Sequence, residues 1–134
     1  MFQPKKTKYK KYHVSRFISK KNSLTDLNFG FFGLKTLESG RISSFQIESV
    51  RQNIKRKIKK FGKIWINIFP DMPITSKPSE IRMGKGKGNV DHWIAKVNSG
   101  KILFEIIGQD EKLILESLKS AANKLPLKTI VIKR

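Results

Sequence analysis

Ser43-Ser44-Phe45-Gln46-Ile47-Glu48-Ser49-Val50-Arg51-Gln52-Asn53-Ile54-Lys55-Arg56-Lys57-Ile58-Lys59-Lys60-Phe61-Gly62 is the stretch that decides the architecture. Ser43 and Gln46 stand at the spacing of a capping box, in which a hydroxyl and a carboxamide satisfy the first free amides of a helix. From there Ile47, Val50, Ile54, Ile58 and Phe61 recur at steps of three and four, which puts them on one helical face, with Gly62 as the expected stop. The remaining surface carries Arg51, Lys55, Arg56, Lys57, Lys59 and Lys60 against one acid, Glu48. Cations in the last turn suit the negative end of the helix dipole. Six of them exceed that need, so Arg51, Lys55 and Lys59 are candidate anchors to a polyanion.

Outward from this helix the chain alternates short apolar runs with turn signals. Upstream, Asn28 to Leu37 reads as a strand with glycines at 30 and 33, ended by Ser39-Gly40. Downstream, Lys63 to Phe69 is a β-branched and aromatic strand stopped by Pro70-Asp71-Met72-Pro73. Residues 70–89, with three prolines and three glycines, predict a long loop. Val90 to Val97 alternates as a strand, Asn98-Ser99-Gly100 signals a hairpin turn, and Lys101 to Ile107 is expected to pair back. Asp110 caps a second helix with Ile114, Leu118, Ala121 and Leu125 inward, and Leu127 to Lys133 forms a last strand. The expected class is α+β: two helices packed on a largely antiparallel sheet. The domain division is a basic arm over 1–27 and a single folded domain over 28–134, from which the 70–89 loop projects.

Charge decides the class of partner. Twenty-nine Lys and Arg oppose ten Asp and Glu in 134 residues, a formal net charge of +19. The arm holds Lys5, Lys6, Lys8, Lys10, Lys11, Arg16, Lys20 and Lys21 without an acid up to residue 21, interleaved with Phe2, Tyr9, Tyr12 and Phe17. Cations neutralise phosphates while exposed rings stack on bases, so RNA fits better than a membrane. The same composition also describes an organellar transit peptide. In the loop, Arg82-Met83-Gly84-Lys85-Gly86-Lys87-Gly88-Asn89 alternates glycine and lysine, so that a bare backbone, at Gly86 above all, can approach a phosphate ribbon between two ammonium groups. Neither a P-loop nor a dinucleotide fingerprint fits its spacing.

Catalytic chemistry has little to draw on. No cysteine is present, which removes disulfides and thiolate chemistry, and no metal-ligand spacing occurs. His13 and His92 are isolated histidines. Asp91 and Glu105 fall on strands expected to face each other, yet read as ordinary surface charges. Trp65 and Trp93 read as core or edge packing. No apolar run is long enough to span a bilayer, and no cofactor is called for.

The opening Met1-Phe2-Gln3-Pro4-Lys5-Lys6-Thr7-Lys8-Tyr9, the Phe29-Gly30-Phe31-Phe32-Gly33-Leu34-Lys35 segment, Gly62-Lys63-Ile64-Trp65-Ile66, Phe69-Pro70-Asp71 with Pro73-Ile74-Thr75, the Arg82 to Asn89 loop and Leu125-Pro126-Leu127-Lys128-Thr129 together resemble the bacterial-type large-subunit ribosomal protein L-sixteen family. The match is collinear from residue 1 to about 130. The resemblance implies an α/β-hammerhead-like domain bound to large-subunit ribosomal RNA near the central protuberance and the aminoacyl site. It implies an arm and loop directed at transfer RNA, a part in late subunit assembly, contacts with neighbouring large-subunit proteins, and no enzymatic activity. It places Lys5, Lys6, Lys8, Arg82, Lys85 and Lys87 at RNA, and its start at Met1 sets the transit-peptide reading aside as an expectation. Residues 13–24 depart from the family pattern, with Val14, Phe17 and Ile18 in a stretch usually richer in arginine and glycine.

Lys far outnumbers Arg, and Ile, Phe and Asn are frequent, as an AT-rich genome favours. A family member of this composition is expected in an organelle, a mitochondrion first, with a plastid or a bacterial cytoplasm as alternatives. Two rival functions are a small RNA-processing enzyme built on Asp91, Glu105 or His92 and a free-standing RNA chaperone.

Overall fold

The computed structural model describes residues 2–14, 26–60 and 62–134. Arg16, Phe17, Lys20, Lys21 and Phe61, all singled out from sequence, lie outside the described residues. Strands β1 (Phe32–Thr36) and β2 (Gly40–Ser43) lead into helix α1 (Ser44–Ile58). There follow β3 (Gly62–Ile66), β4 (Met72–Ser76), β5 (Asn89–Val97), β6 (Ile102–Gly108), helix α2 (Glu111–Ala122) and β7 (Thr129–Lys133).

The α+β class holds, with antiparallel ladders throughout, divided between two sheets. One has the order β3-β6-β1-β7 and the other β2-β5-β4. Ile47, Val50, Ile54 and Ile58 of α1 and Ile114, Leu118 and Ala121 of α2 are buried in one core with Leu34, Phe104, Ile106, Ile42 and Val97 from both sheets. Ser43 and Gln46 form both arms of the capping box, and the Asp110 carboxylate accepts from the Leu113 amide.

Several expectations change. First, α1 stops earlier than Gly62: Lys59 takes φ 54° and its amide donates to the Lys55 carbonyl at 2.8 Å, closing the helix. Second, Gly40–Ser43 is a strand and not merely an end to one. Third, residues 72–76 form a strand within the expected loop, which leaves 77–88 without helix or strand. Pro73 is tolerated there because β4 lies at a sheet edge, where a missing donor need not break a ladder. Fourth, β5 and β6 do not pair with each other. Their turn is bound by the β1–β2 connection: the Gly100 amide donates to Thr36 O at 2.8 Å, the Thr36 hydroxyl donates to Asn98 O at 3.0 Å, and the Ser99 amide donates to Ser39 Oγ at 2.9 Å. Held this way, the chain steps from one sheet into the other.

Residues 28–30 also leave the expected strand. The amides of Asn28, Phe29 and Gly30 donate to Glu105 Oε2 at 3.1, 2.7 and 2.8 Å, and Asn67 donates to Oε1 at 2.5 Å. Glu105 is fully buried and not the surface charge its type suggests. Burial pushes its carboxyl up, but the amides of Gly30 and Phe29, the Asn67 side chain and the Asn28 amide together hold it below the usual carboxylate value.

Candidate nucleic-acid interface

The arm and the glycine-lysine loop are far apart in sequence yet are tied to each other by hydrogen bonds across 75 and 76 positions. Residues 2–14 run without helix or strand; Phe2 packs against the core, and Pro4, Lys6, Thr7, Lys8 and Tyr12 line a groove with Asp71 and Met72. At its far end Lys11 Nζ donates to the Lys87 carbonyl at 2.9 Å, and Lys87 Nζ donates back to the Tyr12 carbonyl. Lys5, Lys6, Lys8, Lys10 and Lys11 are all exposed.

The loop owes its shape to backbone more than to packing. Gly84, Lys85 and Gly86 have φ of 99°, 53° and 83°, three consecutive residues in territory that L side chains rarely enter. A Cβ on Gly84 or Gly86 would meet nothing within 4 Å, so conformation and not crowding calls for glycine there. Gly88 is different: a Cβ would lie 2.4 Å from Ser76 O, so its bare backbone lets the loop close onto the end of β4. Lys77 Nζ donates to the Gly84 carbonyl and the Ile81 amide to Pro78 O at 3.2 Å. Residues 76–87 are exposed throughout, including Arg82, Lys85 and Lys87, with Met83 fully so.

The third set lies on α1. Arg51, Lys55 and Lys59, with Lys63 of β3, line an open groove between helix and sheet that also has Ile58, Ile64 and Ile66 in its wall. Arg51 is not simply available: its Nε and Nη2 bind the Glu48 carboxylate at 2.9 and 2.6 Å. The Arg51 hydrogen bond outweighs partial desolvation and, with Gln52, lowers the Glu48 carboxyl to about 2. The groove therefore carries a cancelled charge at one end. Glu48→Gln is expected to tighten binding to structured RNA severalfold and to steepen the dependence of log affinity on log salt by about one unit, as an added net cation does. Titration at several salt concentrations checks this; an unchanged slope would place the groove outside the phosphate contacts.

The structure separates the catalytic candidates. Asp91 is on β5 and Glu105 on β6, in different sheets, with Glu105 committed to backbone amides. His92 Nδ1 lies 2.8 Å from Asp91 Oδ2 of its own strand. Among the described residues no group of three or more His, Asp or Glu is placed to hold a metal, and no helix is long and apolar enough to cross a membrane. Several acids are spent internally. Glu116 pairs with Lys57 at 2.8 Å and Glu111 with Lys133 at 2.6 Å, while Asp110 caps α2, so these acids do not oppose the cations of the arm and the loop.

What these elements define is a small basic α+β protein whose cationic arm and loop are tied together and which has, among the described residues, no assembled catalytic group. The profile of the ribosomal protein L16p/L10e family matches residues 4–132, and the chain belongs to this family. It is 51% identical over 134 residues to the large ribosomal subunit protein uL16 of Psychrobacter arcticus, covering 100% of this chain and 98% of that one. It is 50% identical, with the same coverage, to uL16 of Bartonella bacilliformis. These relatives are ribosomal proteins, not enzymes.

Proposed function

We propose that this protein is a structural constituent of the large subunit of a bacterial-type ribosome. It binds large-subunit ribosomal RNA near the central protuberance and aminoacyl site, touches neighbouring large-subunit proteins, and supports transfer-RNA positioning and late subunit assembly. The carrying observation is the tie between arm and loop through Lys11, Lys87 and Tyr12, which makes one cationic projection from two distant segments. The α1 groove anchors the body through Lys55, Lys59 and, within its pair with Glu48, Arg51. Lys5, Lys6, Lys8, Lys10, Lys11, Arg82, Lys85, Lys87 and the Gly86 backbone serve the projection, and Arg16 belongs to the same arm in sequence. Family membership and near full-length identity to uL16 support the setting.

The AT-rich residue bias supports an organellar ribosome, a mitochondrial one first; the bacterial origin of the relatives supports a bacterial cytoplasm as the second setting.

Neutralising Lys85 and Lys87 together is expected to shallow the salt slope for structured RNA by about one to two units. An unchanged slope would remove the loop from the phosphate contacts. Sedimentation tests the setting: the protein should stay with the large subunit through a moderate salt wash, whereas persistent absence from that fraction would favour a free RNA chaperone.

A further inference from the structure

Trp65 pairs with Glu105 and Glu105 with Gly33, so these three residues form a row across β3, β6 and β1. Ile64 and Ile66, flanking Trp65, pack against the core, which turns the row toward the sheet's other face. Residues 27–30 cross that face as a strap. Leu27 fills the place a Cβ on Gly33 would take, 2.4 Å away, and the next three amides are bound by Glu105. The Phe29 ring then stacks on Trp65 with centroids 6.0 Å apart and planes 18° from parallel. Lys63, on the same face two residues earlier, places Nζ 4.9 Å from the Trp65 ring centre.

Phe29 is nevertheless 59% exposed. Its backbone is fixed from below by a buried carboxylate, one side of its ring is covered by Trp65, which also carries the Lys63 ammonium, and the ring is otherwise open to solvent. Burial alone gives no reason to hold a phenylalanine so firmly and leave it so bare. We infer that Phe29 is a stacking platform for one unpaired RNA base, with Lys63 neutralising the adjacent phosphate. This rests on the RNA-binding reading above and adds a base contact on the folded body, apart from the arm and the loop. A ring already held in place loses little freedom when a base settles on it, and every base offers a π face.

The test compares two probes on the full chain: an oligoadenylate and an abasic ribose-phosphate oligomer of equal length. Phe29→Leu is expected to weaken oligoadenylate binding by about fivefold or more, to leave the abasic oligomer unaffected and to keep the thermal transition near that of the parent. Phe29→Tyr should retain the parent affinity. Phe45→Leu, removing a ring 53% exposed at the start of α1, should change neither probe. Unaltered oligoadenylate binding by Phe29→Leu, or equal losses on both probes, would overturn the platform alone and point to a protein partner for this surface. Failure of both probes to bind the parent would bring down the RNA-binding reading with it.

Discussion

Glu105→Leu is expected to cost about 3–5 kcal/mol of folding stability, the largest loss from any single side chain outside the apolar core. The carboxylate is fully buried and takes three backbone amides and the Asn67 side chain. Leucine has similar bulk but no acceptor, so the donors on the strap and on Asn67 lose their partner at once. Glu105→Gln keeps an oxygen for the amides and should cost less, about 1–2 kcal/mol. Urea unfolding at neutral pH separates the three proteins; equal stability of parent and leucine variant would show that the network contributes nothing. The sign with pH follows from the lowered carboxyl. Its stabilisation is complete above the unfolded value of about 4.3 and is lost as pH falls through the lower folded value. The glutamine variant should therefore lose less stability than the parent on acidification.

Gly86→Val carries the largest functional effect. Gly86 sits at φ 83° with open space around it, so a valine meets no clash but must adopt a backbone region that β-branched residues avoid, at about 1–2 kcal/mol. The strain is relieved by moving the loop, since little packs against it. The thermal transition of the body should stay within a few degrees of the parent. If the loop works as proposed, large subunits should still contain the variant but assemble late or bind aminoacyl-transfer RNA several-fold more weakly. Gly86→Asn, which tolerates positive φ, should lose much less. Normal assembly and full transfer-RNA binding by the valine variant would remove the loop from function without touching family membership.

The parts legible in the sequence are those whose cause is local. The capping box at Ser43 and Gln46, the apolar stripe of α1 and the Asp110 cap each act within one or two turns of chain, and each is found where the spacing puts it. Strands β2 and β4 are four and five residues long. One opens on a glycine and the other contains a proline, so local preference argued against both. The Asn98-Ser99-Gly100 signal fixes where the chain turns but not which strand lies beside it; Thr36 and Ser39, some sixty residues upstream, decide that. Glu105 looks like any surface carboxylate because its partners are contributed by residues 28–30 and 67. On the interface, the amount of charge is readable and its arrangement is not. Lys11 and Lys87 meet across 76 positions. The Glu48–Arg51 pair is the exception, since a three-residue spacing on a helix brings the two together.

Strand β1 sits between β6 and β7, with Phe32 opposite Ile106 on one side and Lys133 on the other. Both of its neighbours come from the last third of the chain. A growing polypeptide leaves its exit tunnel amino end first, so β1 waits, unpaired on either edge, until residues 102–133 have been made. Closing such distant pairs is slow, because the entropy of two long loops is lost before any ladder rewards it. The cationic arm, by contrast, is made before any strand of that sheet. The four-stranded sheet therefore closes only after β6 and β7 have been made, and a chain cut short before them could not form it.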